Sequence, residues 1–174
     1  FCSRILGFLR DIILANLFGA NAAADAFYIA YRIPNLLREL FAEGSMSSAF
    51  IPVFTEYHST RSKQEAWELA SAAFTTLLTL VTIVTLLGIL AAPSLVWFLA
   101  PGLHGDTAQL ATTTLLTQIM FPYLLFVSLA ALAMGILNAL RSFAIPALAP
   151  VFFNICVIVF ALAISPAFDQ PIIA

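Results

Sequence analysis

Long stretches without charged residues divide most of the chain into segments that predict membrane-spanning helices. Residues 69–92 hold 24 uncharged positions, and as an α-helix they extend about 36 Å, which is enough to cross a bilayer with some tilt. Residues 107–140 hold 34 uncharged positions. This stretch is longer than a hydrocarbon core, and Pro122 predicts a kink within it. We therefore predict spans over residues 67–92, 107–140 and 143–165.

Two further spans are predicted at the beginning of the chain, where charges interrupt the apolar pattern. Residues 1–18 fit the C-terminal part of one span, which ends at Gly19 because glycine commonly terminates a helix. Residues 25–57 predict a helix that would be about 50 Å long if straight, so we expect a bend at Pro34 or near Gly44. Because the chain begins and ends within apolar runs, we expect it to be a piece of a longer polytopic protein.

Composition identifies the class of protein. Hydrophobic residues make up 62% of the chain and charged residues 9%, and the mean hydropathy is +1.02. A soluble domain carries about 25% charged residues, so the composition excludes a soluble enzyme. The net charge of −2 is too small to indicate a nucleic-acid partner. The prediction is an all-α integral membrane protein, built as a polytopic helical bundle.

The sequence contains no motif for covalent chemistry or for a bound cofactor. The patterns GxxxxGK[ST], GxGxxG, HExxH and GxSxG do not occur. Cys2 and Cys156 are far apart and have no CxxC spacing. We therefore expect no catalytic residue, no metal ion and no cofactor, and we expect that the protein is not an enzyme.

The distribution of lysine and arginine predicts the orientation in the membrane. The predicted loop over residues 58–65 holds Arg61 and Lys63, and the loop over residues 138–145 holds Arg141. The loops on the other side hold neither residue type. Because cytoplasmic loops are enriched in lysine and arginine, we predict that these two loops and the N-terminus are cytoplasmic.

Four arginines lie within the two charged spans, where each costs about 2.5–3.5 kcal/mol at the membrane centre. One interpretation is structural and pairs two of the arginines with acids seven positions away, since such positions lie about 20° apart around a helix. One pair is then formed by Arg4 and Asp11. A second set is a line of three residues, acid, base and acid. The members of that line are Asp25, Arg32 and Glu39.

The other interpretation is functional and treats the first two spans as an antiparallel pair. Counted from the outer ends, Arg10 and Arg32 then lie about 12 Å deep, and Arg4 and Arg38 about 21 Å deep. Arg10 lies about 240° around the helix from Arg4 and needs another partner. Arginine is a planar fork of donors that stays charged, so this ladder suits a phosphate or diphosphate.

Three other polar residues lie within the predicted spans. They are Gln118, Asn138 and Asn154. Such residues either line a transport path or form hydrogen bonds between helices, and the sequence leaves both interpretations open.

Several ungapped motifs occur in order along the chain. The first are Ser3-Arg-Ile-Leu-Gly-Phe-Leu-Arg-Asp11, Asp25-Ala-Phe, Pro34-Asn-Leu-Leu-Arg38 and Phe41-Ala-Glu-Gly44. They continue with Phe121-Pro-Tyr123, Gly135-Ile-Leu-Asn138, Phe143-Ala-Ile-Pro146 and Pro150-Val-Phe-Phe-Asn154. Together they resemble the MurJ/MviN family, the lipid II flippases of bacterial peptidoglycan synthesis, over nearly the whole chain.

The resemblance implies a fold and a function. The fold would be the N-terminal lobe of the multidrug/oligosaccharidyl-lipid/polysaccharide exporter superfold, without its C-terminal lobe. The function would be to move an undecaprenyl-diphosphate disaccharide-peptide from the inner to the outer leaflet of the bacterial inner membrane by alternating access. The implied partners are lipid II, membrane lipids and other cell-wall synthesis proteins.

The resemblance also implies site residues. Arg10 and Arg38 would contact the diphosphate, and Arg4 with Glu43 would form a gate on the cytoplasmic side. Glu39 is a departure, because relatives often carry a basic residue there. The residues implied in substrate binding are Arg10, Arg38, Arg4, Asp11, Asp25 and Arg32.

Two alternatives remain beside the flippase. One is another transporter of the same superfold, which would export a polyprenyl-linked sugar or a drug. The first two spans contain four arginines and four acids, so the net charge does not distinguish a flippase from an exporter of this kind. Only the motifs favour the flippase. The other alternative is a membrane scaffold that binds cell-wall proteins, although the predicted loops are short for that purpose.

Overall fold

The computed structural model describes residues 2–18, 22–40 and 49–163. A 3-10 turn, Pro101–Leu103, follows the fourth helix. Every regular element in these ranges is helical, which confirms the predicted all-helical class. The α-helices are α1 (Cys2–Phe18), α2 (Ala22–Arg38), α3 (Ile51–Thr60), α4 (Lys63–Leu99), α5 (Thr107–Ala139) and α6 (Ala144–Ala163).

Helices α4, α5 and α6 are, among the described residues, the three that are long and apolar enough to cross a membrane. They cover the three uncharged stretches of the sequence. With 37 residues, α4 is about 55 Å long, so its ends extend beyond the hydrocarbon core. Trp67 and Trp97 are exposed near these ends, about 45 Å apart along the axis. This separation matches the thickness of a bilayer with its headgroups, where tryptophan is enriched.

Helices α1 and α2 have 17 residues each, or about 26 Å. Of the bent span predicted over residues 25–57, the structure describes α2 with a π-type turn at residues 39–40, and residues 49–60 with a π-type turn leading into α3. Pro34 lies inside α2. Pro52 lies in the first turn of α3, where a residue without an N–H is well tolerated. The expected ends and bends at Gly19 and Gly44 lie outside the described residues.

Helix α5 is central, with α2 and α4 packed against it. Ile33 of α2, Ala92 and Val96 of α4, and Phe121 of α5 share one buried cluster. The closest approach is at Gly88 of α4, where an added methyl group would lie within 2.5 Å of three carbons of the Phe121 ring. Small residues allow such close contact between helices in a membrane, so glycine here sets the distance between α4 and α5.

Helix α1 packs mainly against α6, whereas α2 packs mainly against α5. The predicted antiparallel pair of α1 and α2 is therefore wrong, because each of these helices has another main neighbour. At the contact between α1 and α6, the Asn154 side chain lies over Gly7, with Nδ2 at 3.8 Å from the place of an added Cβ. Because lipid is as apolar as the helices, specific contacts of this kind decide which helices associate.

Candidate functional site

Arg10 lies in the second half of α1 and is held from two sides. Its Nε and Nη2 groups donate hydrogen bonds to Oδ1 of Asp11 at 3.0 and 2.8 Å, and Nη1 donates to Oδ1 of Asn154 in α6 at 3.1 Å. The Arg10 side chain is 28% exposed and that of Asp11 is 64% exposed. A guanidinium group has five N–H donors, so two of them have no partner among the described residues and remain available to an anion.

Arg38 ends α2 and is partly buried. Its Nε group donates a hydrogen bond of 2.9 Å to Oδ1 of Asn35, one turn earlier on the same helix. The Asn35 amide also donates a longer bond of 3.4 Å to the carboxylate of Glu39. Asn35 therefore accepts a hydrogen bond from the guanidinium of Arg38 and donates one to the carboxylate of Glu39.

The two arginines lie on different helices, and the charges of both act on one tyrosine of α5. The ring of Tyr31 lies 6.0 Å from the ring of Tyr123, centroid to centroid. Tyr123 is also close enough to Arg38 and Arg10 for both charges to act on it. Helices α2 and α5 thus bring together a tyrosine pair that lies within electrostatic range of both arginines.

One face of α2 is polar and exposed, whereas the opposite face is buried against α5. The buried face consists of small and aliphatic side chains, which agrees with its packing. The exposed face continues along the helix from Asp25 to Leu40. Its exposed members are the polar or aromatic Asp25, Tyr28, Tyr31, Arg32 and Glu39 and the apolar Leu36 and Leu40.

Comparison with known proteins identifies the family. A sequence profile described as "Lipid II flippase MurJ" matches residues 14–174. The chain is 40% identical over 172 residues to the lipid II flippase MurJ of Burkholderia cenocepacia, covering 99% of this chain and 33% of that protein. The chain belongs to the MurJ family. The chain is also similar to two proteins named probable lipid II flippase MurJ. The one from Vibrio cholerae is 46% identical over 177 residues, which cover 97% of this chain and 34% of that protein. The one from Rickettsia prowazekii is 42% identical over 162 residues, which cover 93% of this chain and 32% of that protein.

The chain spans about a third of the length of the MurJ relatives that it matches. Arg4, Arg10 and Asp11 precede the part that matches the MurJ profile, but the alignment with the Burkholderia relative covers 99% of the chain. The family assignment therefore rests on almost all of the described residues.

The structure places the predicted residues unevenly around the site. It joins Arg10 to Asp11 and to Asn154, and Arg38 to Asn35. Arg4, Asp25 and Arg32 have exposed side chains and form no hydrogen bond or ion pair in the part of the chain that the structure describes. Glu43 lies outside the described residues, so its pairing with Arg4 in a gate stays a prediction.

The seven-residue ion pairs of the structural interpretation do not form between the described side chains. Asp11 pairs with its neighbour Arg10 and not with Arg4, and the Glu39 carboxylate receives its bond from Asn35 and not from Arg32. Adjacent residues on a helix diverge by about 100°, but the long arginine side chain bends back to its neighbour's carboxylate. The length of the arginine side chain thus allows a pair between adjacent residues, which helix spacing alone does not predict.

Sequence reasoning assigned no site role to four residues that the structure places here. The sequence was consistent with Asn154 either lining a transport path or forming a hydrogen bond between helices. The structure shows a hydrogen bond between helices, which Asn154 accepts from Arg10. Asn35 is three positions before Arg38, a spacing that places both on one face of a helix. The tyrosines had a weaker signal, because aromatic residues are common in membrane helices. These four residues are Tyr31, Asn35, Tyr123 and Asn154.

Proposed function

We propose that the protein acts as a lipid II flippase, which moves an undecaprenyl-diphosphate-linked disaccharide-peptide from the inner to the outer leaflet of a bacterial inner membrane. The observation that carries this proposal is that a chain of the MurJ family holds two arginines, Arg10 and Arg38, in place by side-chain hydrogen bonds on two different helices. Two guanidinium groups from different helices suit the two phosphates of a diphosphate. Transport of this kind breaks no covalent bond of the substrate.

The hydrogen bonds around Arg10 explain how a diphosphate would be held. Asn154 is buried and accepts from Nη1, so it orients the guanidinium without neutralising its charge. Asp11 neutralises the charge when no substrate is bound, and its carboxylate is the more exposed partner. A diphosphate that binds Arg10 therefore competes with an exposed carboxylate, while the buried amide keeps the arginine in place. Such preorganisation lowers the entropic cost of binding.

The proposal includes an orientation and a transport cycle. The N-terminus and the loops at residues 58–65 and 138–145 face the cytoplasm, and Arg4 with Glu43 closes the cytoplasmic side. The two lobes of the whole protein rock around the bound head group to give alternating access. A cysteine introduced within residues 99–106 is expected to react with an impermeant thiol reagent outside intact cells, and a cysteine within residues 58–65 is not.

The test of the proposed function replaces Arg10 and Arg38 separately by Lys and by Ala. The variants are made in the full-length protein as it occurs in the cell. If each arginine binds phosphate through two N–H groups, the charge of lysine is not sufficient. We expect the Lys variants to lose lipid II flipping nearly as completely as the Ala variants. Protein abundance, total lipid II and outer-leaflet lipid II are measured together.

Arg61→Lys is the matched control, because Arg61 lies between α3 and α4 and contacts Tyr57 and Glu65, away from the site. It is expected to flip lipid II normally. Full activity of Arg10→Lys would contradict two-pronged binding. Normal outer-leaflet lipid II in both Ala variants would contradict the proposed function and would favour another transporter of the same superfold, or a scaffold.

A further inference from the structure

Four aromatic side chains form a continuous cluster beside the two arginines. The rings of Phe27 and Tyr31 are parallel at 6.3 Å between centroids, and Tyr28 meets Phe27 edge to face at 5.9 Å. Tyr123 of α5 lies 6.0 Å from Tyr31. We call Phe27, Tyr28, Tyr31 and Tyr123 the aromatic cluster.

The aromatic cluster lies at a defined distance from the proposed diphosphate site. Tyr31 is seven positions before Arg38, so the two residues are about 10 Å apart along α2 and about 20° apart around it. Tyr28 lies about 5 Å farther toward the start of the helix. Phe27 and Tyr31 are therefore on the same side of α2 as Arg38, about two to three turns from its charge, and Tyr28 lies about 80° around the helix from it.

Packing within the described residues leaves both α2 tyrosines partly exposed. Tyr28 is 64% exposed and Tyr31 is 36% exposed, although the opposite face of α2 is buried against α5. Their neighbours on the exposed face include Asp25 and Arg32, which are also exposed. Aromatic rings on a charged surface beside cationic groups are typical of a site that binds a polar ligand through apolar faces.

We propose that the aromatic cluster binds a pyranose ring of the sugar that is attached to the diphosphate held by Arg10 and Arg38. The C–H groups on one face of a pyranose are slightly positive and match the negative face of an aromatic ring. The Asp25 carboxylate supplies a hydrogen-bond acceptor for the sugar hydroxyls. This inference rests on the proposed function, because it takes the diphosphate site as its neighbour.

The occupant follows from connectivity as well as from chemistry. In a diphosphate-linked glycan the first sugar is bonded directly to a phosphate, and a second sugar extends beyond it. A ligand anchored at Arg38 therefore brings its sugars to the next turns of α2, where Tyr31 and Tyr28 lie. An anion without a glycan would leave these two exposed rings without a ligand.

The test compares two lipids that differ only in the glycan and peptide. Undecaprenyl diphosphate and lipid II are titrated separately into the whole protein in lipid nanodiscs, and binding is measured by native mass spectrometry. We expect Tyr28→Leu and Tyr31→Leu to bind lipid II about tenfold more weakly and undecaprenyl diphosphate unchanged. Tyr28→Phe and Tyr31→Phe keep the ring and are expected to bind lipid II within about twofold of the unmodified protein.

Phe98→Leu is the matched control, because Phe98 is 76% exposed near the end of α4 and outside the cluster. It is expected to bind both lipids normally. Equal weakening of both lipids by the tyrosine variants, or no weakening of either, overturns the sugar site. If Arg10→Ala leaves the binding of both lipids unchanged, the diphosphate site fails and the proposed function fails with it. Loss of sugar selectivity alone leaves the proposed function intact.

Discussion

Pro93 interrupts the hydrogen bonding of α4, and Gln118 of α5 repairs it. Proline has no N–H, so Pro93 cannot donate to the carbonyl of Ile89 four residues earlier. The Nε2 group of Gln118 donates to this carbonyl instead, at 3.2 Å. Of the two interpretations that the sequence left open for Gln118, the structure supports the hydrogen bond between helices.

We therefore predict that the cost of losing Gln118 depends on Pro93. Gln118→Leu leaves the Ile89 carbonyl without a partner, and hydrogen bonds between membrane helices contribute about 0.6–2 kcal/mol. We expect a loss of about 1 kcal/mol in the free energy of unfolding. In a Pro93→Ala background the new N–H bonds to Ile89, so Gln118→Leu is expected to cost only a few tenths of a kcal/mol.

The assay is a double-mutant cycle on the whole protein, with reversible unfolding in mixed detergent and lipid micelles followed by tryptophan fluorescence. The expected coupling energy between Pro93 and Gln118 is about 1 kcal/mol. Gln64→Leu is the control, because Gln64 is exposed at the start of α4 and bonds to Glu68, and it is expected to show no coupling with Pro93. If Gln118→Leu lowers the free energy of unfolding equally in both backgrounds, Gln118 does not compensate for the hydrogen bond that Pro93 removes.

The remaining predictions concern packing and the site. Gly88→Ala is expected to destabilise the whole protein by about 1–3 kcal/mol through overlap with a buried ring, whereas Gly102→Ala, which has open space around it, is expected to be neutral in the same unfolding assay. Asn154→Leu removes an acceptor of Arg10 and is expected to weaken undecaprenyl diphosphate binding about tenfold. Asn154→Asp adds a competing charge and is expected to weaken it further, and unchanged binding in both variants would contradict a positioning role.

Much of the helical organisation could be predicted from local sequence. An apolar run, a proline or a glycine acts on the backbone within a few residues, so α4, α5 and α6 lie where the uncharged stretches indicated. The pairing of α1 with α6 and of α2 with α5 could not be predicted. Each helix presents similar apolar side chains to lipid and to its neighbours, and the pairing depends on small contacts such as Gly7 with Asn154.

The candidate site was predictable only in part. Arg10 and Arg38 were identifiable because a charge within an apolar segment is costly and needs a reason. The partner of Arg10 was not identifiable, since Asn154 lies 144 positions away in the sequence. The seven-residue spacing predicted Asp11 as the partner of Arg4, whereas Asp11 pairs with its direct neighbour.

By itself, the sequence determined that this is a helical membrane protein with its charges concentrated near the start. Composition and the spacing of charges are properties of residue order and do not depend on how helices meet. Only the tertiary structure decided that Arg10 bonds to Asn154, that Tyr31 meets Tyr123 of α5, and that Gln118 repairs α4. Hydrogen bonds are short and directional, so each requires atoms of two helices to lie within a few tenths of an ångström of one arrangement.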